Sequence, residues 1–141
     1  MNKIESFTVE VVTPHKVYEP FLATKLIVTT DAGEINILSN HAEYIANVEI
    51  SPLTIYQGDK VTHYAVGGGA IRFDENKNKA TLILNSFKSV EDINLTKIEI
   101  SKKKWQEKLL EDSSTFEHKQ AELHLKRIIN EMTTKNNYKD Y

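Results

Sequence analysis

Phe7-Thr8-Val9-Glu10-Val11-Val12-Thr13-Pro14 sets Phe7, Val9 and Val11 in alternation with Thr8, Glu10 and Val12 and ends in a threonine–proline turn. Alternation with a period of two is typical of a strand that buries one face. Similar short apolar stretches follow at 26–28, 35–38, 48–50, 53–56, 61–66, 71–73 and 80–84, with turn residues such as Asp31-Ala32-Gly33, Ser51-Pro52 and Gln57-Gly58-Asp59-Lys60 between them. Many short strands without a helical segment between them predict an antiparallel β-sandwich domain over residues 1–88.

The composition changes near Ser89, after which the sequence contains no glycine or proline. Two sets of residues fall at helical spacing: Ile98, Ser101, Trp105 and Leu109, and then Ala121, Leu125, Ile128 and Met132. A polar break at 112–115 separates them, and Ser114 with Glu117 matches a capping box. Residues 89–141 are therefore predicted to form an antiparallel helical hairpin, with a frayed tail from Thr133 onward. Because its apolar stripe is thin, we expect the hairpin to dock on another surface.

Composition excludes several classes of protein. The 141 residues carry a net charge of −2, which is not the signature of a nucleic-acid-binding domain. The absence of cysteine rules out disulfides, thiolate metal sites and cysteine nucleophiles. No apolar run approaches the length of about 18 residues that spans a bilayer, and the N-terminus does not resemble a signal peptide. We expect a soluble protein that is not inserted in a membrane.

The sequence offers little sign of catalysis. Gly67-Gly68-Gly69 is followed by another apolar stretch rather than by a helix with Lys-Ser/Thr, so a close strand crossing is favoured over a phosphate loop. His41 has no second metal ligand at usable spacing, and the other histidines form no Ser/His/Asp arrangement. The residues therefore indicate neither a catalytic arrangement nor a metal site.

Several segments together resemble the ε-subunit family of bacterial F-type ATP synthases. Thr30-Asp31-Ala32-Gly33-Glu34-Ile35-Asn36-Ile37-Leu38-Ser39-Asn40-His41-Ala42 is similar to the family signature. Val9-Glu10-Val11-Val12-Thr13-Pro14, Tyr64-Ala65-Val66-Gly67-Gly68-Gly69 and Ala121-Glu122-Leu123-His124-Leu125-Lys126-Arg127 resemble further blocks in the family's order. Two prolines of the signature are replaced by Ser39 and Glu43, which is expected to loosen that loop.

The resemblance implies a non-catalytic rotor subunit that couples rotation of the c ring to the catalytic head. The sandwich would bind the γ subunit and the c ring, with Glu34 facing the c ring and His41 lying near γ. The hairpin would inhibit ATP hydrolysis when it is extended, with Lys119, Lys126 and Arg127 contacting an acidic segment of the catalytic subunits. The protein would lie at the cytoplasmic face of the cell membrane, peripherally, as part of the complex.

ATP-binding members of this family carry Ile-Asp-x-x-Arg-Ala at the start of the first helix, where this chain has Ile93-Asn94-Leu95-Thr96-Lys97-Ile98. The motif is therefore degenerate at Asn94 and Lys97, although Ile93 and, on the second helix, Arg127 remain. Glu131 stands where ATP-binding members have another arginine. A lysine lacks the bidentate fork of arginine, and a carboxylate repels phosphate. We expect no cofactor and no useful binding of ATP.

Two other functions stay open at this point. One is a free-standing nucleotide-sensing regulator, since some members of the family bind ATP at the hairpin. The other is a β-sandwich scaffold whose basic helical arm, which includes Lys102-Lys103-Lys104-Trp105, binds nucleic acid. Glu99 and Glu107 lie within one helical turn of that basic cluster and partly cancel its charge, so a solvated helix face is the favoured explanation, followed by docking on an acidic partner surface.

Overall fold

The structure is a computed structural model that describes residues 5–110 and 115–138. Its strands are β1 (Phe7–Val12), β2 (Phe21–Ala23), β3 (Lys25–Thr30), β4 (Gly33–Leu38), β5 (Tyr44–Gln57), β6 (Lys60–Asp74), β7 (Lys79–Leu84) and β8 (Phe87–Ser89). A short 3₁₀ helix (Val90–Asp92) leads into α1 (Leu95–Leu110), and α2 (Thr115–Tyr138) packs against α1. The predicted sandwich followed by a helical hairpin is confirmed.

One hydrogen-bonded path joins the strands in the order β2-β1-β7-β6-β5-β3-β4, and β8 pairs with β6. The strands β5 and β6 are 14 and 15 residues long and pair along their whole length. β6 pairs with β8 over Tyr64–Val66 and with β7 over Gly69–Asp74. Each long strand therefore contributes to both layers of the sandwich. All pairs are antiparallel except β1 with β7, which are parallel neighbours although five strands separate them in the chain.

The turn predicted at Ser51-Pro52 is wrong, because both residues lie inside β5 and face Val66 and Ala65 of β6. Proline cannot donate a hydrogen bond to a ladder, so it is tolerated where a ladder is interrupted. The pairing of β5 with its other neighbour, β3, shifts register between Ile27 and Thr30. Pro52 lies beside this irregularity, so the missing N–H costs no regular ladder bond.

The main core fills the space between the two layers and follows the alternation seen in the sequence. Phe7, Val9 and Val11 of β1 are completely buried, and Thr8, Glu10 and Val12 are less so. Phe7 meets Phe73 edge to face, with ring centroids 5.7 Å apart. Burying side chains of this size contributes about 1.5–3 kcal/mol each. Every member of this cluster lies between residues 7 and 87, so the sandwich closes its own core.

The hairpin docks through a second, smaller cluster made by Ala65 of β6 and by Ile93, Ile98 and Ile128. Trp105 and Met132 pack at its edge. The predicted apolar stripe is confirmed for Ile98, Ala121, Leu125 and Ile128, which are all buried. So few apolar residues leave much of the docking to polar groups.

The hairpin's ends differ in part from expectation. The tail predicted to fray from Thr133 is instead helical to Tyr138, and Thr134 is fully buried. Asn94 caps α1: its Oδ1 accepts from the N–H of Lys97 at 3.2 Å, and its carbonyl accepts from Ile98 at 3.1 Å. Ser114 of the expected capping box lies outside the described residues.

Candidate functional site

The loop that follows β4 carries His41 and is held at several points. Ser39 Oγ donates to the carbonyl of Ser6 at 3.2 Å and accepts from Asn78 Nδ2 at 3.0 Å. Glu43 Oε1 accepts from the N–H of Glu75 at 2.9 Å. The expectation that Ser39 and Glu43 loosen the loop is therefore wrong, since both side chains tie it to neighbouring segments.

Two asparagines complete these ties. Asn40 and Asn78 have φ values of 63° and 49°, in the left-handed region that asparagine tolerates better than most residues. The N–H of Asn40 donates to Asn78 Oδ1 at 2.6 Å, and Asn40 Nδ2 donates to Glu5 Oε2 at 3.1 Å. The loop, the β6–β7 turn and the segment before β1 thus form one hydrogen-bonded surface.

His41 lies half-buried on this surface. Its ring meets Tyr44 and Phe73 edge to face at 5.7 and 5.6 Å, and its Nδ1 lies 2.7 Å from the carbonyl of Ala42. Within the described residues, no group of three or more His, Asp or Glu side chains is placed to hold a metal ion. The His41 ring therefore packs as part of the loop's own structure.

Glu34 lies at the other end of β4. It pairs with Thr29 inside the strand rather than on a loop, and its side chain is exposed. Because β4 is six residues long, Glu34 and the His41 loop are on the order of 20 Å apart. The structure thus presents two separate surfaces, one at each end of this edge strand.

The three glycines of β6 form a close crossing, as the sequence predicted. A Cβ on Gly69 would lie 2.0 Å from the carbonyl oxygen of Ile83, and one on Gly67 would lie 2.3 Å from Ser86 Oγ. The N–H of Gly67 donates to Ser86, and the carbonyl of Gly68 accepts from the N–H of Asn85. The backbones approach too closely for a side chain, and no helix N-terminus follows that could hold phosphate.

The hairpin docks on this region through side chains of α2 that donate to main-chain carbonyls. Arg127 Nε donates to Gly67 at 3.1 Å, and Lys135 Nζ donates to Val90 at 2.7 Å. Asn130 Nδ2 donates to both Ser51 and Val66, at 3.0 and 3.1 Å. Each bond to a charged donor contributes about 1.5–3 kcal/mol and each neutral one about 1. These three residues are called the docking donors below.

Among the described residues, one ion pair between the hairpin and the sandwich accompanies the docking donors. Glu131 of α2 is only 8% exposed, and its Oε1 lies 3.1 Å from Lys88 Nζ of β8. The side chain of Lys88 is half exposed, so the pair is screened from one side. Sequence reasoning treated Glu131 only as a residue that repels phosphate, and the 43-residue separation from Lys88 gave no signal of the pair.

The three predicted basic contact residues occupy different settings. Lys119 and Lys126 are exposed, whereas Arg127 is engaged with the sandwich through Gly67. In the docked hairpin the charges of Lys119 and Lys126 therefore face solvent, whereas Arg127 is bonded to the sandwich.

A cleft of about 500 Å³ lies between the sandwich and the hairpin, at the place of the degenerate ATP motif. Lys97 and Arg127 line it, together with Trp105, His124 and Glu131. Ile93 is buried in the small cluster, and Asn94 uses its side-chain oxygen to cap α1. The cleft therefore brings together only two of the four motif residues, beside a carboxylate that already pairs with Lys88.

Trp105 and His124 close one wall of the cleft. Their rings stack at 4.2 Å, and Lys108 lies 4.5 Å above the Trp105 ring. Burial lowers the pKa of His124, and the positive charges of Arg127 and Lys108 lower it further. The neutral imidazole is thus the favoured form beside these cations.

We expect the isolated chain to give no saturable heat in a calorimetric titration with MgATP at micromolar concentration. The physical reason is that Glu131 repels phosphate while Lys97 and the capping residue Asn94 cannot supply the missing contacts. A variant that carries Asn94→Asp, Lys97→Arg and Glu131→Arg restores the family's ligand types and is the positive control. Saturable micromolar binding by the wild-type chain would contradict this prediction.

The fold defines a small β-sandwich protein with a helical hairpin docked on it, and the described residues hold no group of side chains placed to bind a metal ion. Residues 6–89 match the family described as "ATP synthase, Delta/Epsilon chain, beta-sandwich domain". The chain belongs to the ATP synthase epsilon chain family, whose members are non-catalytic subunits of that enzyme.

Individual relatives agree with this family. The chain is similar to the ATP synthase epsilon chain of Pediococcus pentosaceus, with 32% identity over 87% of this chain and 90% of the relative. It is 28% identical to that of Ruminococcus albus over 92% and 96% of the two chains. Among solved structures, a chain of the Euglena gracilis mitochondrial ATP synthase (OSCP, F1 and c-ring) superposes with a TM-score of 0.74. The identity is 15%, and the match covers 94% of this chain and 83% of that one, so it supports the fold.

In the described part of the chain, neither helix is long and apolar enough to cross a membrane.

Proposed function

We propose that this chain is a central-stalk subunit of an F-type proton-translocating ATP synthase that couples c-ring rotation to the catalytic head and inhibits ATP hydrolysis through its hairpin. The observation that carries the proposal is the mode of docking. The hairpin is held to the sandwich by a small apolar cluster, three docking donors and one ion pair. Contacts of this kind allow two states that differ by a few kcal/mol, which is what a regulatory switch requires.

The sandwich serves as a spacer between two partners. Glu34, at the start of β4, contacts the polar loops of the c ring, and the His41 loop at the other end contacts the γ subunit. The exposed carboxylate supports the first contact, because rim charges set orientation more than affinity. The hydrogen-bonded loop supports the second, because a surface that is already ordered loses less entropy on binding.

The hairpin acts on the catalytic subunits when it leaves the sandwich. Extended along γ, it brings Lys119, Lys126 and Arg127 to an acidic segment of the catalytic subunits and blocks rotation. The docked state supports this account because Arg127 is withheld in it and becomes available on release. No cofactor and no nucleic acid take part. The chain lies peripherally at the cytoplasmic face of the cell membrane, and only its partners contact the bilayer.

Affinity purification of the tagged chain from detergent-solubilised cells tests the assignment. We expect the γ subunit, the catalytic subunits and the c ring to co-purify in constant proportion. Recovery of the chain alone, with saturable nucleotide binding, would instead favour a free-standing nucleotide-sensing regulator. Retention on a nucleic-acid column at physiological salt would favour the nucleic-acid-binding scaffold.

Glu34→Lys is expected to leave the melting temperature of the isolated chain within about 3 °C of wild type, because the side chain is exposed and makes no ion pair within the described residues. In the assembled enzyme, proton pumping per ATP hydrolysed should fall about twofold or more, because the contact with the c ring is weakened. Glu99→Lys, which reverses an exposed charge on α1 away from both proposed sandwich surfaces, is the matched control. A Glu34→Lys chain that is unfolded would show that Glu34 is structural.

A further inference from the structure

A second cleft lies beside the 3₁₀ helix, whose Val90 carbonyl accepts from Lys135. Its volume is about 550 Å³, and it is bounded by the β1–β2 connection, β6, β8 and the 3₁₀ helix. Four aromatic rings line it: Tyr18, Phe21, Tyr64 and Phe87. Neither the c-ring surface nor the γ surface proposed above includes these residues, so the cleft needs an explanation of its own.

Contacts among the rings fix the aromatic wall. Tyr64 stacks on Phe87 with centroids 4.1 Å apart, and Tyr18 meets Phe87 edge to face at 5.2 Å. The hydroxyl of Tyr18 donates to the carbonyl of Phe87 at 3.3 Å. Because these rings are already ordered, binding of a planar or cationic group costs little additional conformational entropy.

The rim of the cleft is acidic. Glu19 and Asp92 line it and are exposed, and Glu91 is the neighbour of Asp92 on the 3₁₀ helix. Burial raises the pKa of Tyr64, and the negative charges of Asp92 and Glu91 raise it further. Both carboxylates therefore act on the aromatic wall, and a cation in the cleft would be favoured by the same field.

One basic residue is among the described residues that line the cleft, and it shows what the wall can hold. Lys16 Nζ lies 4.5 Å from the centroid of the Tyr18 ring, within the range of a cation–π contact. Lys16 and Lys135, whose Nζ donates to Val90 of the same 3₁₀ helix, are two positive groups near three negative ones: Glu19, Glu91 and Asp92. The cleft thus keeps a net attraction for a further cation.

We propose that this cleft binds an arginine side chain of a partner polypeptide. A guanidinium group is planar, stacks on aromatic rings and pairs with carboxylates, and arginine is enriched at the energetic centres of protein interfaces. An anionic ligand would meet the acidic rim, and a neutral ligand would leave it unused. The inference concerns the isolated chain's own surface and does not depend on the assembly proposed above.

Titration of the full-length chain with a short peptide, acetyl-Gly-Arg-Gly-amide, tests the proposal by NMR. We expect saturable shifts in the assigned ring resonances of Tyr18, Tyr64 and Phe87, with a dissociation constant on the order of millimolar. The same peptide with citrulline, which keeps the shape and loses the charge, should bind at least about fivefold more weakly. Equal shifts by the two peptides, or no saturable shift in these rings, would overturn the proposal.

Variants at exposed positions sharpen the test because they leave the fold intact. Glu19→Gln with Asp92→Asn should weaken binding of the arginine peptide by about fivefold, whereas Lys16→Gln should strengthen it about twofold by freeing the Tyr18 ring. Asp59→Asn, on the β5–β6 turn, removes one carboxylate away from the cleft and is the matched control. If neither the acidic variant nor Lys16→Gln changes the affinity, the cleft is not the binding site.

Discussion

Gly69→Ala is expected to lower the free energy of unfolding by about 3–5 kcal/mol, one of the largest effects of any single substitution in this chain. The new Cβ would lie 2.0 Å from the carbonyl oxygen of Ile83 and 2.9 Å from the Cα of Leu84. Both atoms belong to the backbone of β7, so no side-chain rotation can relieve the overlap. The φ of 152° at Gly69 adds backbone strain for any other residue. Thermal unfolding followed by circular dichroism measures the effect, and a fall in Tm of roughly 15 °C or more is expected.

The control is Gly58→Ala, on the β5–β6 turn. Gly58 has a φ of 64°, and no atom lies within 4 Å of a Cβ placed there. Its cost should be limited to the left-handed backbone, about 1–2 kcal/mol. If Gly69→Ala melts at the same temperature as Gly58→Ala, the two strands do not cross as closely at Gly69 as the structure shows.

The fold could be predicted from local patterns to a large extent. Phe7, Val9 and Val11 show the alternation that a buried strand face requires, and all three are in the main core. Ile98 and Ile128 show the helical spacing, and both are in the small cluster. These residues could be recognised because burial of an apolar side chain depends on its own position in a strand or helix.

The lengths of β5 and β6 could not be predicted in this way. Pro52 and the run Gly67-Gly68-Gly69 are sequence signals for the end of a strand, yet both lie within continuous strands. Pro52 fits inside β5 because the pairing of β5 with β3 is irregular there. Position 69 requires glycine because the backbone of β7 lies too close for a side chain. Both reasons lie in partners distant along the chain, so a single stretch of sequence does not contain them.

The docking of the hairpin was the least predictable part of the candidate site. Arg127, Asn130 and Lys135 donate to main-chain carbonyls, and every residue of the sandwich has such a group. The side chains of the accepting residues therefore do not indicate where the hairpin docks. Lys88 and Glu131 carry complementary charges, but opposite charges at this separation are common in any chain. The same reasoning missed that Ser39 and Glu43 tie the His41 loop.

The docked hairpin leads to a prediction about inhibition. In the proposed switch, Arg127 contributes to both states: it bonds to Gly67 when docked and contacts the catalytic subunits when extended. Replacing Lys119, Lys126 and Arg127 together would therefore destabilise both the docked and the extended state. A change in inhibition of ATP hydrolysis could then not be assigned to either state. Lys119 and Lys126 are exposed in the docked state, so Lys119→Ala with Lys126→Ala should affect the extended state alone.

Asn130→Ala with Glu131→Lys is expected to release the hairpin from the sandwich. The first change leaves the carbonyls of Ser51 and Val66 without their donor, and the second places two like charges together at Lys88. The combined cost to the docked state is about 2–4 kcal/mol, enough to change the ratio of docked to released chains by roughly 30- to 1,000-fold. Hydrogen exchange of α2 amides should speed up by a similar factor, while exchange in the sandwich core stays unchanged. In the assembled enzyme, inhibition of ATP hydrolysis should become stronger.

Adding Lys119→Ala and Lys126→Ala to this released variant should relieve most of that inhibition, because the extended hairpin then loses two of its three basic contacts. Asn136→Ala with Glu107→Lys makes the same substitutions at exposed positions of the hairpin and is the matched control. The two measurements separate two possible errors. If exchange in α2 does not change, the polar contacts do not hold the hairpin. If α2 is released but hydrolysis proceeds at the wild-type rate, docking is described correctly and the hairpin of this chain does not act as a brake on the enzyme.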